Sequence, residues 1–140
     1  MKRFGRTIDT FPWYRHYDLA DAGIHSTPAD LAHFIRTLFS TDALLSKRIG
    51  AVMTDVPASV ASASEYGIGI YVQHNPWGFG LRWYTHDGMD PGYHADMMYL
   101  PDFDVAIVLL ANGSMGEATQ IYEELITAVV DTVLDRGVSN

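Results

Sequence analysis

Five side chains able to move a proton or hold a cation fall within eleven residues: His86, Asp87, Asp90, His94 and Asp96. The first two open the tripeptide His86-Asp87-Gly88, which lies at the end of the strand expected over Leu81–His86 and precedes a Pro91-Gly92 turn. A histidine ordinarily titrates at a pH of about 6.5, so it can take up and return a proton near neutrality. A glycine has no Cβ, so the backbone of a bound molecule can come close at Gly88. A strand that delivers a His and then a Gly to its end can line an active-site cleft. The same residue types are also metal ligands. Strand alternation argues against one shared ion, because His94 and Asp96 share a face while His86 and Asp87 lie on opposite faces. A shared metal ion is therefore not expected, and by spacing alone His86 fits either proton transfer or an ordinary hydrogen bond at a strand end.

The elements that position this cluster follow from pattern. Ser26-Thr27-Pro28-Ala29-Asp30 has the order of a helix start, with Thr27 as N-cap, Pro28 at the first helical position and Asp30 completing a capping-box variant. Leu31, Phe34, Ile35 and Leu38 then recur at helical spacing, predicting one buried face and an end near Ser40. A second short helix is expected over Leu44–Met53. Residues 54–65 read as a loop. Strands are expected over Tyr66–Gln73, Leu81–His86, Tyr93–Leu100 and Val105–Ala111, the last continuously apolar as for a strand covered on both faces. Asn75-Pro76-Trp77-Gly78 and Pro101-Asp102-Phe103-Asp104 supply turns. An amphipathic helix closes the chain from about Gly116 to Arg136, with Ile121, Leu125, Val129 and Val133 on its buried face and Gly137 just past its end. Residues 1–25 are aromatic and irregular, a segment expected to wrap a surface.

The fold class is therefore α+β: an antiparallel sheet of about four strands, with one helix before it and a long C-terminal helix packed on it. Trp77, Phe79, Trp83 and Tyr84 are expected as sheet-face core, and Met89, Met97 and Met98 as core filler. His16, His25, His33 and His74 suit surface or capping positions, and Asp131 and Asp135 a solvated helix face.

Composition narrows the function classes. Hydrophobic residues make up 48% and charged residues 19% of 140, which supports one packed domain rather than a disordered chain. The net charge of −8 opposes nucleic-acid phosphates, so no nucleic-acid partner is expected. No apolar run reaches the roughly 20 residues of a membrane span. The first residues, MKRFGRTIDTF, lack the apolar stretch of a secretory signal. Zero cysteines exclude a disulfide frame, a thiol nucleophile and a thiolate metal site.

Four ordered segments resemble the serine β-lactamase and penicillin-binding-protein-like family, especially its class C, D-alanyl-D-alanine carboxypeptidase and esterase branch. Residues 22–32, from Ala22-Gly23 through Ser26-Thr27 to Asp30-Leu31-Ala32, are similar to the family's Gly-Leu-x-Ser-Thr-x-x-Asp-Leu helix start. Tyr66-Gly67-Ile68-Gly69-Ile70 is similar to its Tyr-Gly-x-Gly strand. His86-Asp87-Gly88 with Pro91-Gly92-Tyr93 resembles its third catalytic motif, Lys/His-x-Gly. Leu100-Pro101 through Val108-Leu109-Leu110-Ala111-Asn112 resembles its last strand, commonly ended by Asn.

The resemblance implies an acyl-enzyme hydrolase acting on a small ester, a D-amino-acid peptide or a β-lactam, without a cofactor or metal. It implies that His86 faces the cleft and assists proton transfer or meets a substrate carboxylate. Gly88 then admits substrate backbone, and the Met89 N–H is one of two oxyanion donors. Asp87 and Tyr93 fall at substrate-binding positions. Asp87 stands where Ser or Thr is commoner, and its charge disfavours a carboxylate-bearing substrate.

The family's other two motifs are absent. Ser26, Ser40, Ser46, Ser59, Ser62, Ser64, Ser114 and Ser139 all lack a Lys three residues on, so no Ser-x-x-Lys nucleophile is present. No Tyr is followed by x-Asn. In the family both motifs precede the Gly-x-x-Ser-Thr helix. Residues 1–140 are thus expected to be the C-terminal segment of a β-lactamase-related domain, truncated or split, and silent alone. A non-catalytic binding or assembly module is the alternative. In either case the apolar strand 105–111 lacks its flanking strands and is expected to pair with an N-terminal partner segment or a second copy. The compartment is left open.

Overall fold

The computed structural model describes residues 2–3, 6–10, 12, 23–56, 64–74, 80–113 and 115–137. Two short strands, β1 (Lys2–Arg3) and β2 (Arg6–Thr7), pair antiparallel within the stretch expected to be irregular. Helices α1 (Pro28–Ser40) and α2 (Lys47–Met53) follow. Strands β3 (Ser64–Tyr66), β4 (Tyr71–His74), β5 (Arg82–Asp90), β6 (Tyr93–Leu100) and β7 (Val105–Ala111) form one sheet in sequence order. Helix α3 (Met115–Gly137) closes the chain. The architecture is α+β with an antiparallel sheet, as expected, and five strands rather than four.

The chain divides into two compact units. One holds residues 26–87 and 96–108 and carries α1, α2, β3, β4 and most of the sheet. The other holds residues 1–25, 88–95 and 109–140.

In the first unit α1 begins as its sequence dictates. Thr27 Oγ1 accepts a hydrogen bond from the Asp30 N–H (3.2 Å) and donates one to the Asp30 carboxylate (2.8 Å). The Thr41 N–H and hydroxyl both close on the Thr37 carbonyl at the other end. Ile35 is fully buried, whereas Phe34, expected on the same face, is 43% exposed. Its stripe is narrower than the apolar spacing suggests. Helix α2 starts at Lys47, three residues later than expected, because Ser46 caps it and the Asp42 carboxylate accepts the Lys47 N–H at 2.7 Å. The core combines Ile35 with Ile70, Val72, Trp83, Met98, Leu100 and Ile107.

The expected continuous strand over Tyr66–Gln73 is instead a hairpin. β3 ends at Tyr66, residues 67–70 turn, and β4 begins at Tyr71, with Tyr66 opposite Tyr71 in the register. The glycines are the cause. Gly69 has φ +71°, a left-handed conformation that favours glycine. At Gly67 a Cβ would lie 2.1 Å from the Met53 carbonyl oxygen at the end of α2. There the Ile68 N–H donates to that same carbonyl at 3.0 Å. The alternation of glycine with large residues, read as strand, is turn chemistry.

The β5 strand runs to Asp90, past the tripeptide expected to end it, and Gly92 (φ +96°) makes the turn into β6. Strands β6 and β7 match the expected bounds.

In the second unit Ile126 and Val130 are the buried residues of α3 among those described, while Ile121 is 55% exposed. The buried stripe is therefore one position over from the one expected, and Leu125, Val129 and Val133 flank it half-buried. Met89 is exposed as well, so of the three methionines expected as core filler only Met98 is fully buried. Trp77 and Phe79, the Asn75–Gly78 turn, His16 and residues 57–63 lie outside the described residues.

Candidate functional site

His86 is the centre of a hydrogen-bonded group in the first unit. Its Nδ1 lies 2.8 Å from the Asp87 carbonyl oxygen. A carbonyl only accepts, so Nδ1 carries the proton and donates it. In the neutral ring Nε2 is then an acceptor, and the Tyr66 hydroxyl, 3.1 Å away, donates to it. The Tyr71 ring packs beside both partners. Its centroid is 4.5 Å from that of Tyr66, edge-on at 63°, and 5.8 Å from that of His86.

Local sequence places each member. Tyr66 is set by the hairpin that Gly67 and Gly69 permit and that Ile68 ties to α2. Tyr71 pairs with Tyr66 on one side and with Thr85, the residue before His86, on the other. Thr85 is buried and donates to the Met97 carbonyl at 3.0 Å and towards the Asp96 carboxylate at 3.4 Å. These bonds hold β5 against β6 directly beneath the histidine. Tyr84, two residues before His86, packs against Phe39 of α1 at 4.8 Å, and Phe39 stacks on Tyr99 at 6.2 Å and 13°.

Helix α1 is also clasped to the turn between β6 and β7. Arg36 grips the Asp104 carboxylate with both ends of its guanidinium, Nε at 2.9 Å from Oδ1 and the terminal nitrogen on Oδ2, while the Tyr99 hydroxyl donates to Oδ1 at 3.1 Å. The Arg36 hydrogen bond holds the Asp104 carboxyl below the usual carboxylate range. Burial, reinforced by Asp104, pushes the Tyr99 phenol up. Asp104 does this from a left-handed backbone, φ +53°.

Of the residues singled out in the sequence, His86 is half-buried at the centre of this cluster and Asp87 is exposed beside it, contributing its carbonyl. Gly88, Met89 and Tyr93 belong to the other unit; Met89 is 54% and Tyr93 37% exposed. Asp96 is buried under Thr85 rather than grouped with His86. No group of three or more potential metal ligands occurs among the described residues. Tyr66 and Tyr71 were legible only as pieces of the Tyr-Gly-x-Gly strand, and their convergence on His86 depends on the hairpin. An open groove of about 640 Å³ lies elsewhere in the same unit, lined by Phe39, Lys47, Arg48, Arg82 and Tyr84 among others. It contains none of the expected site residues.

No curated protein matches this chain. The family model described as Beta-lactamase matches residues 2–130, nearly the whole chain and all four of the motif segments. The ordered motifs, the antiparallel sheet and this match together make the chain a member of the Beta-lactamase family.

Proposed function

We propose that this chain supplies the His-bearing half of an acyl-enzyme serine hydrolase site, in the class C, carboxypeptidase and esterase branch of its family. The observation that carries the reading is the state of His86: one ring nitrogen held by the Asp87 carbonyl, the other engaged with a hydroxyl. That arrangement suits a group that accepts a proton at Nε2 and returns it. In this reading the nucleophilic Ser and its Lys come from a segment outside these 140 residues. The Met89 N–H, by the family motif, gives one oxyanion donor. The Asp87 charge favours neutral esters over substrates bearing a carboxylate at that position.

Intact-mass analysis after treatment with a fluorophosphonate, and separately with a penicillin, tests this. The 140-residue chain is expected to form no stoichiometric adduct. An adduct would put the nucleophile inside the chain and overturn the half-site reading. In a longer chain carrying Ser-x-x-Lys ahead of residue 1, the adduct is expected on that Ser. There His86→Ala should slow its formation by roughly 10²–10⁴, the ordinary worth of a positioned acid–base group.

A second reading, a binding or assembly module without chemistry, is favoured by one observation. β7 stands at the end of the strand order, with apolar residues along its length and Leu110 37% exposed. An apolar strand at a sheet edge is a template for pairing with another chain. An N-terminal segment of the same domain or a second copy would fill it.

A further inference from the structure

We propose that Tyr66 is a positioning and proton-relay residue of the His86 site, and that its hydroxyl, rather than the imidazole, is the polar atom presented to a reacting group. The proposal rests on the reading of His86 as an acid–base group. It adds a residue to which the third catalytic motif assigns no role.

The argument begins with hydrogen-bond counting. The Asp87 carbonyl fixes the neutral ring as the Nδ1–H tautomer, and so leaves Nε2 with only a lone pair to offer. That lone pair points at the Tyr66 hydroxyl, 3.1 Å away. Any proton reaching Nε2 along this direction must come from the Tyr66 oxygen. Exposure runs the same way, since Tyr66 is 54% exposed and His86 is half-buried. The phenol is therefore the outer member of the pair. Its ring cannot drift freely, because Tyr71 packs edge-on against it and Gly67 seats the hairpin on the end of α2.

The proton balance closes without any further reactant. When a hydroxyl nucleophile adds to an acyl carbon, its proton passes to the Tyr66 oxygen as the Tyr66 proton passes to Nε2. The nucleophile's oxygen–carbon bond forms as the C=O π pair moves onto the acyl oxygen to give a tetrahedral oxyanion, Tyr66 remains a neutral phenol, and His86 becomes an imidazolium whose Nδ1–H stays on the Asp87 carbonyl. When the leaving group departs, the oxyanion pair re-forms the C=O bond and the bond between the acyl carbon and the leaving oxygen breaks. Tyr66 then gives its proton to that oxygen and recovers one from Nε2. His86 is neutral again and no proton is gained or lost. The Asp87 carbonyl is the fixed dipole that stabilises the imidazolium.

Long-range ¹H–¹⁵N correlation spectra of the ¹⁵N-labelled 140-residue chain, recorded where His86 is neutral, test the relay without requiring activity. The expected pattern is a protonated Nδ1 and an accepting Nε2 for His86. Tyr66→Phe, which keeps the ring against Tyr71, is expected to shift Nε2 toward the value of a free lone pair while Nδ1 stays protonated. A wild-type His86 with its proton on Nε2 overturns the proposal, and so does a Tyr66→Phe chain whose His86 nitrogens do not move. The wild-type spectrum alone can decide against it, whatever the variant's stability. The acyl-labelling experiment fails or succeeds separately. Correct tautomer and Tyr66 dependence, with no labelling of the longer chain, would sink the hydrolase reading and leave the hydrogen-bonded pair standing.

Discussion

At the scale of single residues, two glycines two positions apart serve the site for different physical reasons, and substitutions separate them. Gly67 is required by space, because any Cβ meets the backbone of Met53 at 2.1 Å. Gly67→Ala should lift the hairpin from α2 and lower stability by on the order of 1–3 kcal/mol, the usual range for forced overpacking. Gly69 is required by conformation, with open space around it. Gly69→Ala should cost roughly 1–2 kcal/mol for its left-handed backbone, and Gly69→Asn distinctly less. Urea midpoints of the three variants check this, and the distinction fails if Asn is no better than Ala at residue 69. In the core, Trp83 is fully buried. Trp83→Ala is expected to remove about 3–5 kcal/mol, measured the same way.

At the scale of elements, the device that fixes α1 is the Arg36–Asp104–Tyr99 clasp, and it makes a pH-dependent prediction. Arg36 depresses the Asp104 carboxyl in the folded chain. A carboxyl with a lowered folded value stabilises the fold above its ordinary titration range, and that contribution is lost as the pH falls through the folded value. Wild-type stability should therefore decline on acidification more steeply than that of Asp104→Asn. The variant should be the less stable at pH 7, and the gap should narrow at pH 3. Tyr99 has the opposite sign: its raised phenol favours the fold below the ordinary tyrosine range, and this is lost on alkaline titration. Urea midpoints across pH test both limbs, and parallel acid limbs for wild type and Asp104→Asn would remove Asp104 from the account. Arg36 and Asp104 are both substantially solvated, so salt should weaken the acid limb.

At the scale of the whole molecule, the open question is what meets the β7 edge. The net charge of −8 disfavours indiscriminate self-association, yet an apolar edge strand favours pairing. Light scattering coupled to size-exclusion chromatography is expected to show species above the monomer mass. Leu110→Lys, which adds a charge to the exposed part of the strand, should shift them toward monomer. A wild-type chain that stays monomeric at high concentration contradicts the edge-pairing expectation.

Local chemistry alone specified a good part of this protein. The Thr27-Pro28-x-Asp30 helix start, the bounds of β6 and β7 and the family resemblance all follow from short-range patterns, because caps and apolar runs act over a few residues. His86 was legible for the same reason, as a titratable group at a motif position. Tertiary structure decided the rest. Tyr66 and His86 are twenty residues apart, and only a hairpin in place of a strand brings the hydroxyl to the imidazole. Asp104 and Arg36 lie sixty-eight residues apart, and no local pattern joins them. The exposure of Phe34, Met89 and Ile121 was equally hidden, since spacing defines a helix or strand face and only the neighbours packed against it decide how much of that face is covered.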